Sequence, residues 1–377
     1  MVRFLHTADW QLGMTRRYLG SDAQPRFSAA RVEVISSIGA LAENQGCEFV
    51  LVCGDVFETN QVERQVVVRA LDAMGATPNV TYYLLPGNHD PLDPSSVFRS
   101  PTFKAHCPAN VILLDNEGTV SVAEGVELVC APWTSKSPLT DLVARASQHL
   151  VADGTLRIAV GHGAVDYLSP DEHNPALIAF DHLESALSDG RLHYVALGDR
   201  HSTTRVGSTD RIWYSGAPEP TDFREVDAGN VLVVALDAAS VSVKKHRVGT
   251  WRFVNHDATV TGETDLDVLD HFLDSLPVKN RTIVRLGLVG QLSLAEKARL
   301  DDLLAHHKDL LGSLEGWERR IDLVVLPSAS DYGELELSGF AQDALTDLRE
   351  KAESSGADAV VAREALSLLF RLRGSVA

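Results

Sequence analysis

The sequence predicts an α/β fold in which two sheets form a layered sandwich flanked by helices, followed by a small α/β domain and C-terminal helices. Three features of the 377-residue chain indicate this architecture. Short runs rich in Val, Ile and Leu are each followed by turn residues, as is typical of strands. Amphipathic stretches with helix-spaced apolar positions lie between these runs. Beyond residue 250 the order of strands and helices changes, which indicates a separate domain.

Residues 1–250 are predicted to form the first domain. Its apolar positions are helix-spaced in Phe27–Asn44 and in Val62–Met74. Six runs predict its main strands: Val2–Ala8, Glu48–Cys53, Thr81–Leu85, Glu127–Ala131, Arg157–Val160 and His193–Leu197. Three later runs have little helix between them and predict a hairpin-rich second sheet that ends the domain near Val248: Ile212–Tyr214, Val231–Leu236 and Val241–His246.

Residues 251–333 are predicted to form the small α/β domain. Helix and strand patterns alternate there, at Leu266–Leu276, Thr282–Leu288, Leu294–Leu311 and Ile321–Leu326. Residues 334–377 hold two helix patterns within Phe340–Arg373, separated by Ser354-Ser355-Gly356. The second of these, Val360–Leu372, carries an apolar face that either packs on the core or docks a partner.

The bulk composition bounds the function and the compartment. The chain has 52 acidic and 34 basic residues and a net charge of −18, which counts against a free-standing, high-affinity DNA binder. No apolar run approaches the roughly 18 residues of a membrane helix, so no membrane association is expected. The first residues lead straight into a strand, so no signal peptide is expected. The four cysteines show no CxxC spacing, and a reducing cytoplasm is the expected location.

Five of the predicted strands end in side chains that bind metal ions. The segments that follow them are Asp9-Trp10-Gln11, Gly54-Asp55, Gly87-Asn88-His89-Asp90, Gly161-His162 and Gly198-Asp199-Arg200-His201. Because ligands at the carboxyl ends of several strands meet at one edge of a sheet, we expect these side chains to converge. Residues i and i+2 of an extended segment point the same way, so each Asp-x-Gln or Asp-x-His pair reaches one site. The sequence therefore predicts a metal centre at this edge.

These five segments, in this order, resemble the DxH, GD, GNH, GH and GHxH motifs of the calcineurin-like metallophosphoesterases. The stretch from His6 to Gly13 looks most like the SbcD nucleases and their YhaO-type relatives, as does Gly54-Asp55-Val56-Phe57-Glu58. The resemblance covers the first 250 residues well, and the order of domains beyond them. It implies a di-manganese exonuclease and endonuclease that acts on DNA beside an SbcC-like, SMC-type ATPase.

Two positions depart from the family pattern. Gln11 stands in place of the histidine of DxH, and Asp199 in place of the first histidine of GHxH. Carried over residue by residue, the resemblance implies two divalent ions: one held by Asp9, Gln11, Asp55 and His201, the other by Asp55, Asn88, His162 and Asp199. Both replacements can still coordinate through oxygen, and the harder ligand set favours Mn²⁺ or Mg²⁺ over Zn²⁺.

Residues near these motifs have expected roles in the reaction. His89 is expected to protonate the departing oxygen, with Asp90 holding its ring. Arg16 and Arg17 follow the first motif in a loop and are the candidate phosphate contacts, because guanidinium groups pair with phosphate oxygens. His6 is expected to pack or to support the ligands rather than to bind metal.

Three functions remain open from the sequence. The leading hypothesis is a nuclease subunit for DNA ends. The acidic balance favours a phosphodiesterase that acts on nucleotides or cyclic nucleotides. The replacements at Gln11 and Asp199 motivate a third hypothesis, a catalytically degenerate scaffold for the ATPase. The two helices Phe27–Asn44 and Val62–Met74 either pack on the sheet or pair across a two-fold axis in a homodimer.

Overall fold

The computed structural model describes residues 1–171, 173–325, 339–353, 358–359, 361–362 and 365–366. The strands of the first 251 residues are β1 (Val2–Thr7), β2 (Phe49–Cys53), β3 (Thr81–Leu85), β4 (Val111–Leu113), β5 (Gly118–Ala123), β6 (Val126–Cys130), β7 (Leu156–His162), β8 (Tyr194–Gly198), β9 (Thr204–Val206), β10 (Ile212–Tyr214), β11 (Asn230–Leu236) and β12 (Val241–Arg247). The helices of the same part are α1 (Ala23–Gln45), α2 (Arg64–Gly75), α3 (Pro101–His106), α4 (Leu142–Ser147) and α5 (Phe180–Ser188).

The first sheet has the strand order β12-β11-β1-β2-β3-β4. Strands β1 to β4 run parallel, and β11 and β12 extend the sheet as antiparallel strands beyond β1. Neighbouring residues of β1, Phe4 and Leu5, are both fully buried and belong to different apolar clusters. This is why the strand reads as a continuous apolar run, since both faces of the sheet are covered.

The second sheet has the order β5-β6-β7-β8-β10-β9. Strands β6, β7, β8 and β10 run parallel, whereas β5 and β9 pair antiparallel at the two edges. The inner faces of the two sheets share one apolar cluster, in which Phe4 lies edge-on to Tyr194 with ring centroids 5.5 Å apart. Helices α1 and α2 pack on the outer face of the first sheet, and α4 and α5 on that of the second. The predicted helix-flanked, two-sheet sandwich is confirmed.

Two of the late strands do not belong to the second sheet, contrary to the prediction. Strand β11 pairs with β1, with Val234 opposite Phe4, and β12 pairs with β11. The predicted runs Val231–Leu236 and Val241–His246 therefore extend the first sheet, and of the three late runs Ile212–Tyr214 joins the second. Successive strands usually lie side by side. Here the chain returns from the second sheet to the first, and the apolar runs alone do not indicate this return.

The chain divides into two compact units, Met1–Trp251 and Arg252–Ala377. In the second unit β13 (Arg252–Val260), β14 (Thr282–Leu292) and β15 (Ser313–Val325) form a parallel sheet, with α6 (Glu263–Ser275) and α7 (Leu294–Leu310) as the connections. Leucines of both helices pack with those of β14 in one core. Strand β13 was not predicted, because exposed polar residues alternate along most of its length.

The C-terminal predictions are tested in part by the described residues. Helix α8 (Phe340–Glu353) corresponds to the first predicted C-terminal helix. The expected boundary between residues 333 and 334, and most of the predicted helix Val360–Leu372, lie outside the described residues. Across the described part of the chain, no helix has both the length and the apolar character needed to cross a membrane. The cytoplasmic location stays a prediction.

Candidate metal centre

The five segments that follow the ligand-bearing strands come together in the structure. Strands β1, β2 and β3 belong to the first sheet, whereas β7 and β8 belong to the second. All five are parallel within their sheets and deliver their carboxyl ends to the same end of the sandwich. The site therefore lies between the ends of two sheets rather than along the edge of one, because the sandwich brings both sets of strand ends together.

Asp9, Asp55 and His162 form the centre of this site. All three are buried, and one ligand atom from each lies within 4.8 Å of the others. The Nε2 atom of His162 is 3.4 Å from Oδ1 of Asp55, and its Nδ1 atom is 4.0 Å from Oδ1 of Asp9. Two carboxylates and an imidazole at such distances are a ligand set for a divalent cation.

His162 is oriented by the backbone of the first sheet. Its Nδ1 donates to the carbonyl oxygen of Cys53 at 2.9 Å, since a carbonyl accepts only. This leaves Nε2 facing Oδ1 of Asn88 at 2.9 Å and Oδ1 of Asp199 at 3.8 Å. Burial alone would lower the pKa of His162, but Asp55, Asp9 and Asp199 together outweigh burial and raise it well above its ordinary value. The imidazole thus lies among the oxygen ligands assigned to the second ion.

Gln11 and His201 lie together on the other side of the centre. The Nε2 atom of Gln11 is 3.1 Å from Nε2 of His201. The Nδ1 atom of His201 faces Thr221 Oγ1 at 2.8 Å and Glu225 Oε1 at 2.9 Å. Burial opposes protonation of His201, but Glu225 together with the charges of Asp9 and Asp55 raises its pKa above the ordinary value. Gln11 and His201 are two of the four side chains that the resemblance assigns to the first ion.

Two buried oxygens of the site have no hydrogen-bond partner among the described residues: Oδ2 of Asp9 and Oε1 of Gln11. An unpaired buried acceptor is costly, and at a site of converging ligands it is expected where a cation completes the coordination. Burial raises the pKa of Asp9 to about 6. At Asp55, burial would raise the pKa, but His162 and His89 together outweigh burial and lower the pKa. The residues present fit a divalent metal ion.

The backbone of the site is held in an unusual conformation. Asp9, Gln11, Asp55 and Asp199 all have positive φ angles, of 55°, 45°, 53° and 96°. Non-glycine residues rarely adopt this region, and clusters of such residues mark functional sites. Asp9 N donates to the Gly54 carbonyl at 3.1 Å, and Gln11 N donates to the Asp55 carbonyl at 2.9 Å, which ties the first two segments together.

His89 is held beside the centre, but not by Asp90 as predicted. Its Nδ1 donates to the carbonyl of Glu58 at 2.8 Å, and its Nε2 is 4.0 Å from Oδ2 of Asp55. The buried carboxylate of Asp90 instead accepts from the backbone N–H groups of Gly87 at 2.7 Å and Phe57 at 2.9 Å. Asp90 thus pairs with the backbone of its own turn and with that of the segment after β2, and the prediction that it holds the ring of His89 is wrong.

The remaining predicted residues lie around this centre. The guanidinium of Arg16 donates from Nε and Nη2 to the carbonyl of Thr221, and Arg17 is exposed. Phosphate contact by either arginine stays a prediction. His6 is fully buried, with Nε2 donating to the Leu197 carbonyl at 3.1 Å and Nδ1 3.2 Å from the Tyr194 hydroxyl, so it packs beneath the site as predicted.

Sequence reasoning missed the residues that orient the ligands. The carbonyls of Cys53 and Glu58 orient His162 and His89, but a carbonyl carries no sequence signal. Thr221 and Glu225 contact His201 from a loop at least 20 residues further along the chain. The Gly and Pro residues of that loop are typical of a turn, but they do not indicate which side chain it brings to the site.

The chain is similar to known proteins in sequence and in structure. A family model described as calcineurin-like phosphoesterase matches residues 2–203. The chain is similar to a Rhodobacter capsulatus protein named as the D subunit of the nuclease SbcCD, with 25% identity over 295 residues, covering 65% of this chain and 68% of that protein. The family match spans more than half of the chain.

Solved structures to which the chain is similar include the protein TT1561 of Thermus thermophilus and a dimetal phosphatase of Danio rerio. The first has 9% identity and a TM-score of 0.42, and covers 66% of this chain and 99% of that one. The second has 12% identity and a TM-score of 0.37, and covers 64% of this chain and 98% of that one. By the extent of its match to the family model, which runs from β1 past the last ligand segment, the chain belongs to the calcineurin-like phosphoesterase family.

Proposed function

We propose that this chain is a two-metal-dependent phosphodiesterase that cuts DNA, as the nuclease subunit of an end-processing and repair complex. The observation that carries the proposal is the convergence of Asp9, Asp55 and His162 at the ends of three strands. Membership of the phosphoesterase family supports a metal-dependent hydrolase. The similarity to a protein named as part of the nuclease SbcCD supports a nucleic-acid substrate.

Two divalent ions, Mn²⁺ or Mg²⁺, are part of the proposal. One would be held by Asp9, Gln11, Asp55 and His201, and the other by Asp55, Asn88, His162 and Asp199. Five of these seven side chains offer oxygen, the donor that both cations prefer. The orphaned oxygens of Asp9 and Gln11 support this assignment, since they have no other use in the described residues.

When bound, a pair of divalent cations supplies positive charge that polarises a phosphoryl oxygen and lowers the pKa of water. The chain itself positions the ligands and moves a proton. His89 donates from Nδ1 to Glu58, so Nε2 is the atom that presents a proton to the substrate. Its side chain is 39% exposed and therefore accessible to a substrate. In its protonated form His89 gives this proton to the departing oxygen.

A partner is proposed because the chain is acidic. A net charge of −18 opposes tight binding of DNA by this chain alone, since phosphate contacts need a basic surface. An SbcC-like, SMC-type ATPase would supply contacts to the DNA phosphates. Homodimerisation through α1 and α2 belongs to the same proposal and is checked by sedimentation velocity of the purified chain.

The proposal is tested by Mn²⁺-dependent cleavage of single- and double-stranded DNA, with the wild-type chain compared with His89→Asn. We expect metal-dependent cutting in the wild type and its loss in the variant, with bound Mn²⁺ unchanged because His89 is not a ligand. Hydrolysis retained by His89→Asn would remove the proton-donor role. No cutting of DNA, with bis-p-nitrophenyl phosphate also untouched, would favour the degenerate scaffold.

The acidic charge favours a second candidate, a phosphodiesterase for nucleotides or cyclic nucleotides. The two substrates differ in how their hydrolysis responds to salt. Binding of DNA releases counterions, so cleavage should fall steeply as salt rises from about 50 to 200 mM. A nearly flat response, together with turnover of a mononucleotide diester, would favour the second candidate.

A further inference from the structure

We propose that Glu225 is a positioning residue, which holds His201 in the orientation and tautomer that a metal ion requires. The inference rests on the proposed metal centre, to which His201 contributes one ligand. Glu225 lies in the loop that joins β10 and β11, outside the five ligand segments. Its side chain is 7% exposed although it carries a charge, so its position needs an explanation from its contacts.

Both carboxylate oxygens of Glu225 are engaged as acceptors. Oε1 accepts from His201 Nδ1 at 2.9 Å and from the Thr221 hydroxyl. Oε2 accepts from the backbone N–H of Thr221 at 2.9 Å. The Thr221 hydroxyl also lies 2.8 Å from the same ring nitrogen. The carboxylate therefore receives hydrogen bonds on both sides and has one orientation.

These contacts determine which ring nitrogen carries the proton. A carboxylate only accepts hydrogen bonds, so a neutral His201 beside Glu225 carries its proton on Nδ1. The lone pair is then on Nε2, the atom that faces Gln11 at 3.1 Å inside the proposed centre. Only a nitrogen with a free lone pair can bind a metal, and a carboxylate on the opposite nitrogen is a usual way of ensuring this.

Two arginines fix the loop that carries Glu225. Arg31, which is 1% exposed, donates to the Trp10 carbonyl at 3.0 Å and to the Pro220 carbonyl at 2.8 Å. Trp10 lies inside the first ligand segment, so this buried side chain joins that segment to the loop. Arg16 donates twice to the carbonyl of Thr221, at 2.8 and 3.0 Å. The acceptor for His201 is thus held at a set position relative to the site.

Glu225→Gln removes this control with little change in volume. An amide has one accepting and one donating end, so it cannot accept both from the Thr221 N–H and from His201. When the amide oxygen serves Thr221, its NH₂ group faces His201, and the ring proton moves to Nε2. The matched control is Asp222→Asn in the same loop, because Asp222 pairs with the exposed Arg224 and not with a ligand.

The first measurement needs no metal and no variant. Ring ¹⁵N shifts of metal-free wild-type protein, at a pH where His201 is neutral, should show the proton on Nδ1. A proton on Nε2 would overturn the proposal. This measurement does not depend on whether Glu225→Gln folds.

The second measurement is a titration with Mn²⁺, followed by the electron paramagnetic resonance of the free ion. In Glu225→Gln we expect one class of sites to weaken about 10- to 100-fold while the other is unchanged, and in Asp222→Asn both should match the wild type. Two unchanged classes in Glu225→Gln would overturn the role of Glu225 and leave the proposed function standing. A wild type that binds no Mn²⁺ would overturn both.

Discussion

Gln11 is the residue at which the ligand set departs most from the family pattern. Its amide oxygen is buried and has no hydrogen-bond partner among the described residues, and its amide nitrogen faces His201. An amide is a neutral and modest ligand, whereas an imidazole binds Mn²⁺ and Zn²⁺ more strongly. Gln11→His should therefore tighten Mn²⁺ binding on the order of tenfold, about 1.4 kcal/mol, and shift preference towards Zn²⁺. Calorimetric titration with each metal measures both effects.

Gln11→Ala is the matched control, because it removes the amide without adding a ligand. It should weaken the same class of sites that Gln11→His strengthens. If all three proteins bind Mn²⁺ equally, residue 11 does not contact an ion.

His6 makes the folded state sensitive to acid. Burial lowers its pKa from 6.5 to about 3, so the folded protein holds it neutral. Below pH 6.5 the unfolded chain gains a proton at His6 that the folded chain does not. The free energy of unfolding should therefore fall as the pH drops from about 6.5 towards 3, by up to about 1.4 kcal/mol per pH unit from this group. Urea unfolding at pH 5 and pH 7 measures the loss.

His6→Gln separates this contribution from that of the other titrating groups. Glutamine stays neutral, so the variant should lose less stability between pH 7 and pH 5 than the wild type does. Equal losses in the two proteins would mean that His6 is protonated in the folded state, or that its burial is relieved.

At single positions, the sequence predicted the side chains that converge better than the residues that orient them. Asp9, Asp55 and His162 could be predicted, because a polar residue directly after an apolar strand is visible in the chain. The hydrogen-bond partners of Asp90 could not be predicted. A neighbouring ring and nearby backbone N–H groups compete for the carboxylate of a short side chain on a turn. In the structure, the carboxylate of Asp90 accepts from the backbone N–H groups of Gly87 and Phe57.

Among the elements, the turn after β2 has no room for an added side chain. A Cβ atom added at Gly54 would lie 2.1 Å from Nδ1 of His162, and the φ angle of Gly54 is +90°. Gly54→Ala should therefore lower the free energy of unfolding by about 3 kcal/mol, from strain and overpacking together. It should also displace His162 and weaken metal binding. Thermal unfolding with and without Mn²⁺ reports both effects.

Gly46→Ala, at the end of α1, tests the backbone effect alone. Gly46 has a φ of +64°, and nothing lies within 4 Å of its added Cβ. The expected cost is about 1 kcal/mol with metal binding unchanged. Equal losses of stability in the two variants would mean that contact with His162 adds nothing at Gly54.

The strands and helices were predictable where their apolar pattern is clear, as in the continuous apolar run of β2 and the helix-spaced apolar residues of α1. Pairing was not, because β11 and β12 reach β1 only after the chain has built the second sheet. The short edge strands β5 and β9 and the exposed strand β13 also escaped prediction, since half-exposed residues give them a weak pattern.

For the whole molecule, the division at Trp251 makes a prediction about what the first unit can do alone. Both sheets, all seven proposed ligands and His89 lie within Met1–Trp251. A fragment of residues 1–251 should therefore fold, bind Mn²⁺ and hydrolyse a generic phosphodiester at a rate close to that of the full chain. Circular dichroism, Mn²⁺ titration and hydrolysis of bis-p-nitrophenyl phosphate test these three properties.

The end point of that fragment matters for a physical reason. Trp251 is fully buried, with its ring edge-on to Phe27 at 5.2 Å, and the backbone N–H groups of Thr250 and Trp251 donate to the buried carboxylate of Glu219. A fragment of residues 1–249 would leave this carboxylate without those donors and open a cavity beside α1. The free energy of unfolding of this shorter fragment should be lower than that of fragment 1–251 by about 3 kcal/mol or more. Equal stability of the two fragments would show that Trp251 belongs to the second unit. A fragment 1–251 that folds without binding Mn²⁺ would show that the metal centre needs residues beyond Trp251.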